Sequence, residues 1–155
     1  MDATGRIAGS RPAGKKRQSV NPVQTLTRSA VDALLEKKGN DVTVMDLRGV
    51  SGVADYFVIC TGHSDLQIKA LADSVWERIR DRHDEKPWHV EGYSHLQWVL
   101  LDYVDLVVHI FTPERRAYYS LERLWGDAQI EHVAEDGSGG DVASLKPNDR
   151  SAPDR

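Results

Sequence analysis

Fifteen residues constrain the fold of this chain more than any others: QWVLLDYVDLVVHIF, from Gln97 to Phe111. Two runs rich in Val, Leu and Ile flank DYVD and predict an antiparallel hairpin. Side chains alternate between faces along a strand, so the hairpin has two distinct surfaces. The expected pairing sets Leu101 against Leu106, Val99 against Val108 and Gln97 against Ile110. One face is then Val99, Leu101, Leu106, Val108 and Ile110, an aliphatic surface that belongs under helices. The other carries Leu96, Trp98, Leu100 and Asp102, opposed by Phe111, His109, Val107 and Asp105. That second face sets Trp98 against His109 and gathers two carboxylates at the hairpin end.

Three readings of the second face compete. It is a further packed layer, with Trp98 filling volume and His109 satisfied by hydrogen bonds. Or it is an active site, in which the carboxylates and the histidine hold a metal or move protons; against this, the aspartates flank a turn and no nucleophile or third ligand sits beside them. Or it is a binding surface, since a large aromatic with a polar rim is the composition of interface centres. The residues of the hairpin alone leave all three open.

The remaining chain predicts what covers the aliphatic face. Val23, Leu26, Ala30, Ala33 and Leu34 recur at helical spacing, and KKGN ends that helix, with Gly39 in a left-handed cap. DVTVMDL, Asp41 to Leu47, alternates as a first strand, and DYFVICTG reads as a strand covered on both sides. Ser64 and Gln67 form a capping box for a helix that carries Ile68, Leu71, Ala72, Val75 and Ile79 and ends near His83. WHVEG is a short third strand before the hairpin. Thr112 and Pro113 open a last helix through ERRAYYSLERLW, closed by Gly126. The expected order is α-β-β-α-β-β-β-α, a mixed sheet of the α/β or α+β class.

Composition limits the function. Forty per cent hydrophobic and 28% charged residues in 155 suit one soluble domain with tails. The formal net charge of −4 argues against general affinity for phosphate backbones. Residues 1–21, with the KKR cluster, are expected to be a disordered basic arm, 22–133 the folded domain, and 134–155 a disordered Gly/Ser/Pro/Asp-rich tail. The arm lacks the apolar stretch of a secretory signal, and no run is long enough to span a membrane, so a cytoplasmic location is expected. A single cysteine, Cys60, fits a reducing compartment and reads as a small buried hydrophobe. The six histidines lack the paired spacing of zinc sites. The strand–GHS–helix junction reads as turn and cap rather than a phosphate cradle. Neither a metal nor a cofactor is expected.

Several separated blocks together resemble one family. ADYFVICTGHSDLQIKALAD, EGYSHLQWVLLDYVDLVVHIF and RRAYYSLERLWGDA are similar, in order, to the ribosomal silencing factor family, RsfS or Iojap, over about Val23 to Val133. The resemblance implies a nucleotidyltransferase-like fold without the transferase's catalytic equipment: Gly62 and Ser64 are split by His63, and Asp102 and Asp105 are spaced Asp-x-x-Asp. It implies a non-enzymatic translational repressor that binds the large ribosomal subunit through its protein fourteen and sterically blocks subunit joining under nutrient limitation, with a further use in subunit assembly. Carried onto this chain, it points to Trp98, Asp102, His109, Glu91, Tyr119 and Trp125 as contact or contact-supporting positions. One departure is Val104, where the family often has glycine, so a wider hairpin turn is expected. The alternatives are a relic metal-dependent nucleotidyltransferase and a ribosomal RNA contact through the basic arm. A homodimer is compatible with the sequence.

Overall fold

The computed structural model describes residues 21–50 and 52–135. The two expected tails lie outside the described residues, apart from Asn21, Ala134 and Glu135. Ten elements follow in chain order: α1 (Pro22–Glu36), β1 (Asn40–Asp46), β2 (Tyr56–Thr61), α2 (Asp65–His83), β3 (His89–Glu91), β4 (Trp98–Asp102), β5 (Leu106–Phe111), α3 (Pro113–Tyr119), α4 (Leu121–Leu124) and β6 (Gln129–His132). The mixed α/β class is as expected. The strands form one sheet in the order β3-β4-β5-β2-β1-β6. Only β2 and β5 run parallel; every other neighbouring pair is antiparallel.

Asn21 caps α1, its side-chain oxygen accepting from the N–H groups of Val23 and Gln24, with Pro22 in the first turn. The helix turns Leu26, Ala30, Ala33 and Leu34 inward, where each is essentially buried. Its C-terminus departs from expectation, because Lys38 and not Gly39 takes the left-handed conformation, at φ 62°. Gly39 serves packing instead: a Cβ there would fall on the Cys60 sulfur. The α2 cap is as read, since Ser64 Oγ accepts from Gln67 N at 3.0 Å. The Gln67 side chain reaches back to His63 N at 2.8 Å and donates to the Lys38 carbonyl, tying the two helix ends together. At the GHS junction the N–H of His63 is thus taken by Gln67, and that of Gly62 donates to Phe111 O at 2.9 Å. α1 and α2 cover one sheet face, packing on Val99, Leu101, Leu106, Val108 and Ile110, all fully buried.

The hairpin pairs two residues away from the expected register. Val99 faces Ile110, Leu101 faces Val108, Leu100 faces His109 and Trp98 faces Phe111. The connection has three residues, Tyr103 to Asp105, closed by Tyr103 N donating to Leu106 O at 2.8 Å. An even offset leaves every side chain on its face, so the assignment of faces survives while the partners change. Val104 occupies φ 76°, and the Asp102 carboxylate accepts its N–H at 2.7 Å. A β-branched residue in this region is strained by about 1–2 kcal/mol. Val104→Gly should therefore stabilise the domain by about 0.5–1 kcal/mol after glycine's extra unfolded-state entropy is subtracted, a gain that urea melts would register.

The C-terminal third differs most from expectation. The single last helix breaks at Ser120 (φ 47°) into α3 and α4, and Gly126 is not a left-handed cap. Arg116 holds the bend: its guanidinium donates to Asp41 O, Thr61 Oγ1 and Thr43 Oγ1, and meets Glu122 at 2.7 Å across the break. The bend sets Leu121 into a second core with Met45, Leu47, Phe57, Ile59, Val107, Phe111 and Ala128. The sixth strand, β6, was not anticipated. Its residues QIEH lie at the sheet edge with alternating partial exposure, and pair with β1 from Thr43–His132 to Asp46–Gln129. An edge strand half in solvent has no strong apolar alternation to announce it.

Candidate functional site: an aromatic strip on the outer sheet face

The second core covers this outer face only over β1, β2 and β5. Trp98 and Leu100 on β4 are only partly buried against it, and β3 beyond them is largely open. Trp98 stacks on Phe111 with ring centroids 4.8 Å apart and leans on Tyr119 at 4.5 Å. Tyr119 stays 39% exposed and Tyr118, edge-on to it, 79% exposed. The indole is thus fixed on its inner side and accessible on its outer side. Between the β3–β4 loop and α3 lies a groove of about 390 Å³, lined by Gly92, His95, Gln97, Trp98, Arg115 and Tyr119. Gln97 fixes one wall by accepting from Arg115 Nε at 2.8 Å.

His109 lies beneath this strip, 4% exposed. Its Nδ1 accepts from Trp98 Nε1 at 3.1 Å, so the hydrogen of the neutral ring sits on Nε2. Phe57 packs edge-on against it at 4.5 Å. The register offset makes the contact diagonal rather than directly cross-strand, within reach of a large indole. His109 therefore supports Trp98 from below and presents nothing outward. Burial pushes its pKa down to about 3. Because this lies below the unfolded value near 6.5, the neutral ring's contribution to stability is complete above pH 6.5 and drains as pH falls toward 3. The loss approaches about 1.4 kcal/mol per pH unit within that window. His109→Gln removes this slope and keeps an acceptor for the indole. Urea melts at pH 7, 6 and 5 should show shallower acid destabilisation in the variant, and equal slopes would contradict a buried neutral imidazole.

The other sequence-derived positions divide by place. Asp102 ends β4 on the strip side, its carboxylate engaged by Val104 N, so it shapes the turn as well as the surface. Glu91 lies on β3 opposite Leu100, exposed and hydrogen-bonded to His89 Nε2 at 2.6 Å. Tyr119 ends α3 against Trp98. Trp125, just after α4, packs half-buried on the second core. Sequence reasoning did not single out Arg115, Gln97 or His95, which line the groove; only the fold brings α3 against the β3–β4 loop.

Chemistry elsewhere is sparse. Cys60 is buried and its thiol is pushed up to about 12 by burial, which leaves it an inert packing group. Among the described residues no three His, Cys, Asp or Glu side chains are grouped to hold a metal ion. No described helix is long and apolar enough to cross a membrane.

Fold and site together define a small mixed-sheet α/β domain with α1 and α2 over one face and, on the other, an aromatic strip at the margin of the part that α3 and α4 cover. Residues 20–154 match the family model described as ribosomal silencing factor during starvation. The chain is 42% identical over 110 residues to the ribosomal silencing factor RsfS of Bacillus subtilis, covering 69% of this chain and 90% of that protein. It is 32% identical over 130 residues to an Iojap-related mitochondrial protein of Arabidopsis thaliana, covering 79% of this chain and 70% of the relative. A crystal structure of a Chromobacterium violaceum protein superposes with a TM-score of 0.65 at 34% identity, covering 68% of this chain and 88% of that one. This chain belongs to the ribosomal silencing factor family, whose members are named for a regulatory role.

Proposed function

We propose that this protein binds the large ribosomal subunit through its protein fourteen, on the face that meets the small subunit, and so blocks subunit joining and represses translation without catalysis. The observation that carries the reading is the partly buried Trp98, held in one orientation by Phe111, Tyr119 and His109 at the open margin of the second core. A rigid aromatic anchor loses little conformational entropy on contact, which is why such residues dominate binding energy. Glu91 and Asp102 supply carboxylates at its rim, suited to basic groups of a ribosomal protein. Tyr119 extends the contact; His109 and Trp125 hold it from below. The residues that would have to run a nucleotidyl transfer are engaged otherwise, Ser64 in a helix cap and Asp102 in a turn.

Two measurements test this. Purified protein should capture isolated large-subunit protein fourteen, and adding it to purified subunits before mixing should lower the fraction of joined ribosomes in a sucrose gradient. Capture with undiminished joining would remove the steric mechanism. Absence of capture would remove the partner.

A further inference from the structure

A second exposed apolar surface lies at the hairpin tip, at the other end of β4 from Trp98. Trp88 is 78% exposed, Val53 61% and Val104 54%. With Asp102 they line a concavity of about 410 Å³. Trp88 is positioned by its own backbone, its N–H donating to Asp102 O at 2.7 Å. Val104 is the independent sign that this surface is not incidental. It is a β-branched residue held at φ 76° by the Asp102 carboxylate, with more than half of its surface left exposed beside Trp88 and Val53. The tip is also acidic. Asp55 is raised by burial and then by the charge of Asp105, and Glu85 adds to the burial that raises the Tyr103 phenol. Arg48 is engaged bidentately by Asp46, and Lys86 follows Glu85 in the loop before Trp88. Asp102 belongs to both surfaces, so the tip continues the Trp98 strip about 13 Å along β4.

We propose that Trp88, Val53 and Val104 form a second contact on the large subunit, seating a lysine- or arginine-bearing segment of a ribosomal protein beside the Trp98 contact. The inference rests on the large-subunit reading above. An exposed indole flanked by carboxylates takes a cationic side chain by its ring face and the aliphatic stem by its edge. The same carboxylates repel a phosphate backbone, which favours protein over RNA.

The test is equilibrium binding of the full chain to purified large subunits at low and moderate salt. Trp88→Ala, which removes a solvent-exposed side chain and should leave the melting temperature near wild type, is expected to weaken binding about fivefold or more. Val104→Gly is expected to weaken binding while raising the melting temperature, an opposition that a merely structural residue does not produce. Asp105→Asn should make binding less sensitive to salt. Wild-type affinity in Trp88→Ala together with loss in Trp98→Ala overturns the tip contact and leaves the large-subunit reading standing. Wild-type affinity in both removes the reading and the inference with it. Tighter binding by Asp105→Asn would indicate a phosphate partner and overturn the choice of protein. A dimer in sedimentation velocity that Trp88→Ala dissociates, with subunit binding unchanged, would assign the patch to a second copy and overturn the proposal.

Discussion

Trp98→Ala should lower affinity for large ribosomal subunits by roughly thirtyfold or more, the equivalent of about 2 kcal/mol. The indole joins the second core to its open margin, so the substitution removes the exposed anchor and leaves Tyr119 without its ring partner. It also strands the His109 acceptor. Stability should fall as well, by about 1–2 kcal/mol, less than the 3–5 kcal/mol of a fully buried aromatic truncation because the ring is only half-buried. A domain with ordinary stability remains folded after such a loss. Co-sedimentation with large subunits and a thermal melt, measured on the same preparation, separate the two effects. A variant that co-sediments as the parent does would dislodge Trp98 from the interface. A variant that is largely unfolded would make it a core residue. Trp98→Phe should lie between, keeping the stack on Phe111 while losing the hydrogen bond to His109.

Gly92→Ala should be the most damaging single methyl in the described domain. Gly92 has φ 95°, and its carbonyl accepts from His95 N and Leu96 N to close the β3–β4 turn. A Cβ would land on the carbonyl oxygen of Trp98 and near Val99 Cα, which are backbone atoms that no rotamer change can move aside. Positive φ costs about 1–2 kcal/mol and forced backbone displacement a further 1–3 kcal/mol, so a loss of about 3 kcal/mol is expected. Because the clash falls on Trp98 itself, binding should weaken even in the fraction that folds. Urea melts read the first effect and subunit binding at a concentration corrected for folded fraction reads the second. A melt within 0.5 kcal/mol of the parent (about the scale of a neutral surface substitution) would mean the turn is not held as described.

These two positions show how unevenly the sequence announces its structure. Trp98 was legible because strand alternation assigns faces without any knowledge of partners, and an even error in register leaves that assignment intact. The two-residue offset itself was not legible. It depends on Tyr103, Val104 and Asp105 forming the connection with Val104 at a conformation that local propensity disfavours, stabilised by the Asp102 carboxylate. Gly92 stood in a family-like block, but its reason is a close approach to the next strand, which no local pattern encodes. The break at Ser120 was hidden by an unbroken helical composition; it exists because Arg116 gathers acceptors from β1, β2 and α4, residues up to 75 positions apart in sequence.

What the chain's order of residues determined alone was periodic: the helices and strands from α1 to β5, which face of the hairpin is aliphatic, where α2 begins, and which family the blocks resemble. Each depends on neighbours within a few residues, where side-chain spacing and capping chemistry act directly. What the tertiary structure decided was coverage. The outer sheet face is sealed over β1, β2 and β5 and left partly open over β4 because the bend sets Leu121 of α4 into the core above the first three, while Trp98 on β4 meets only Tyr119 at the end of α3. Burial is a property of the assembled layers, so the same tryptophan could have been core or surface until those layers were placed.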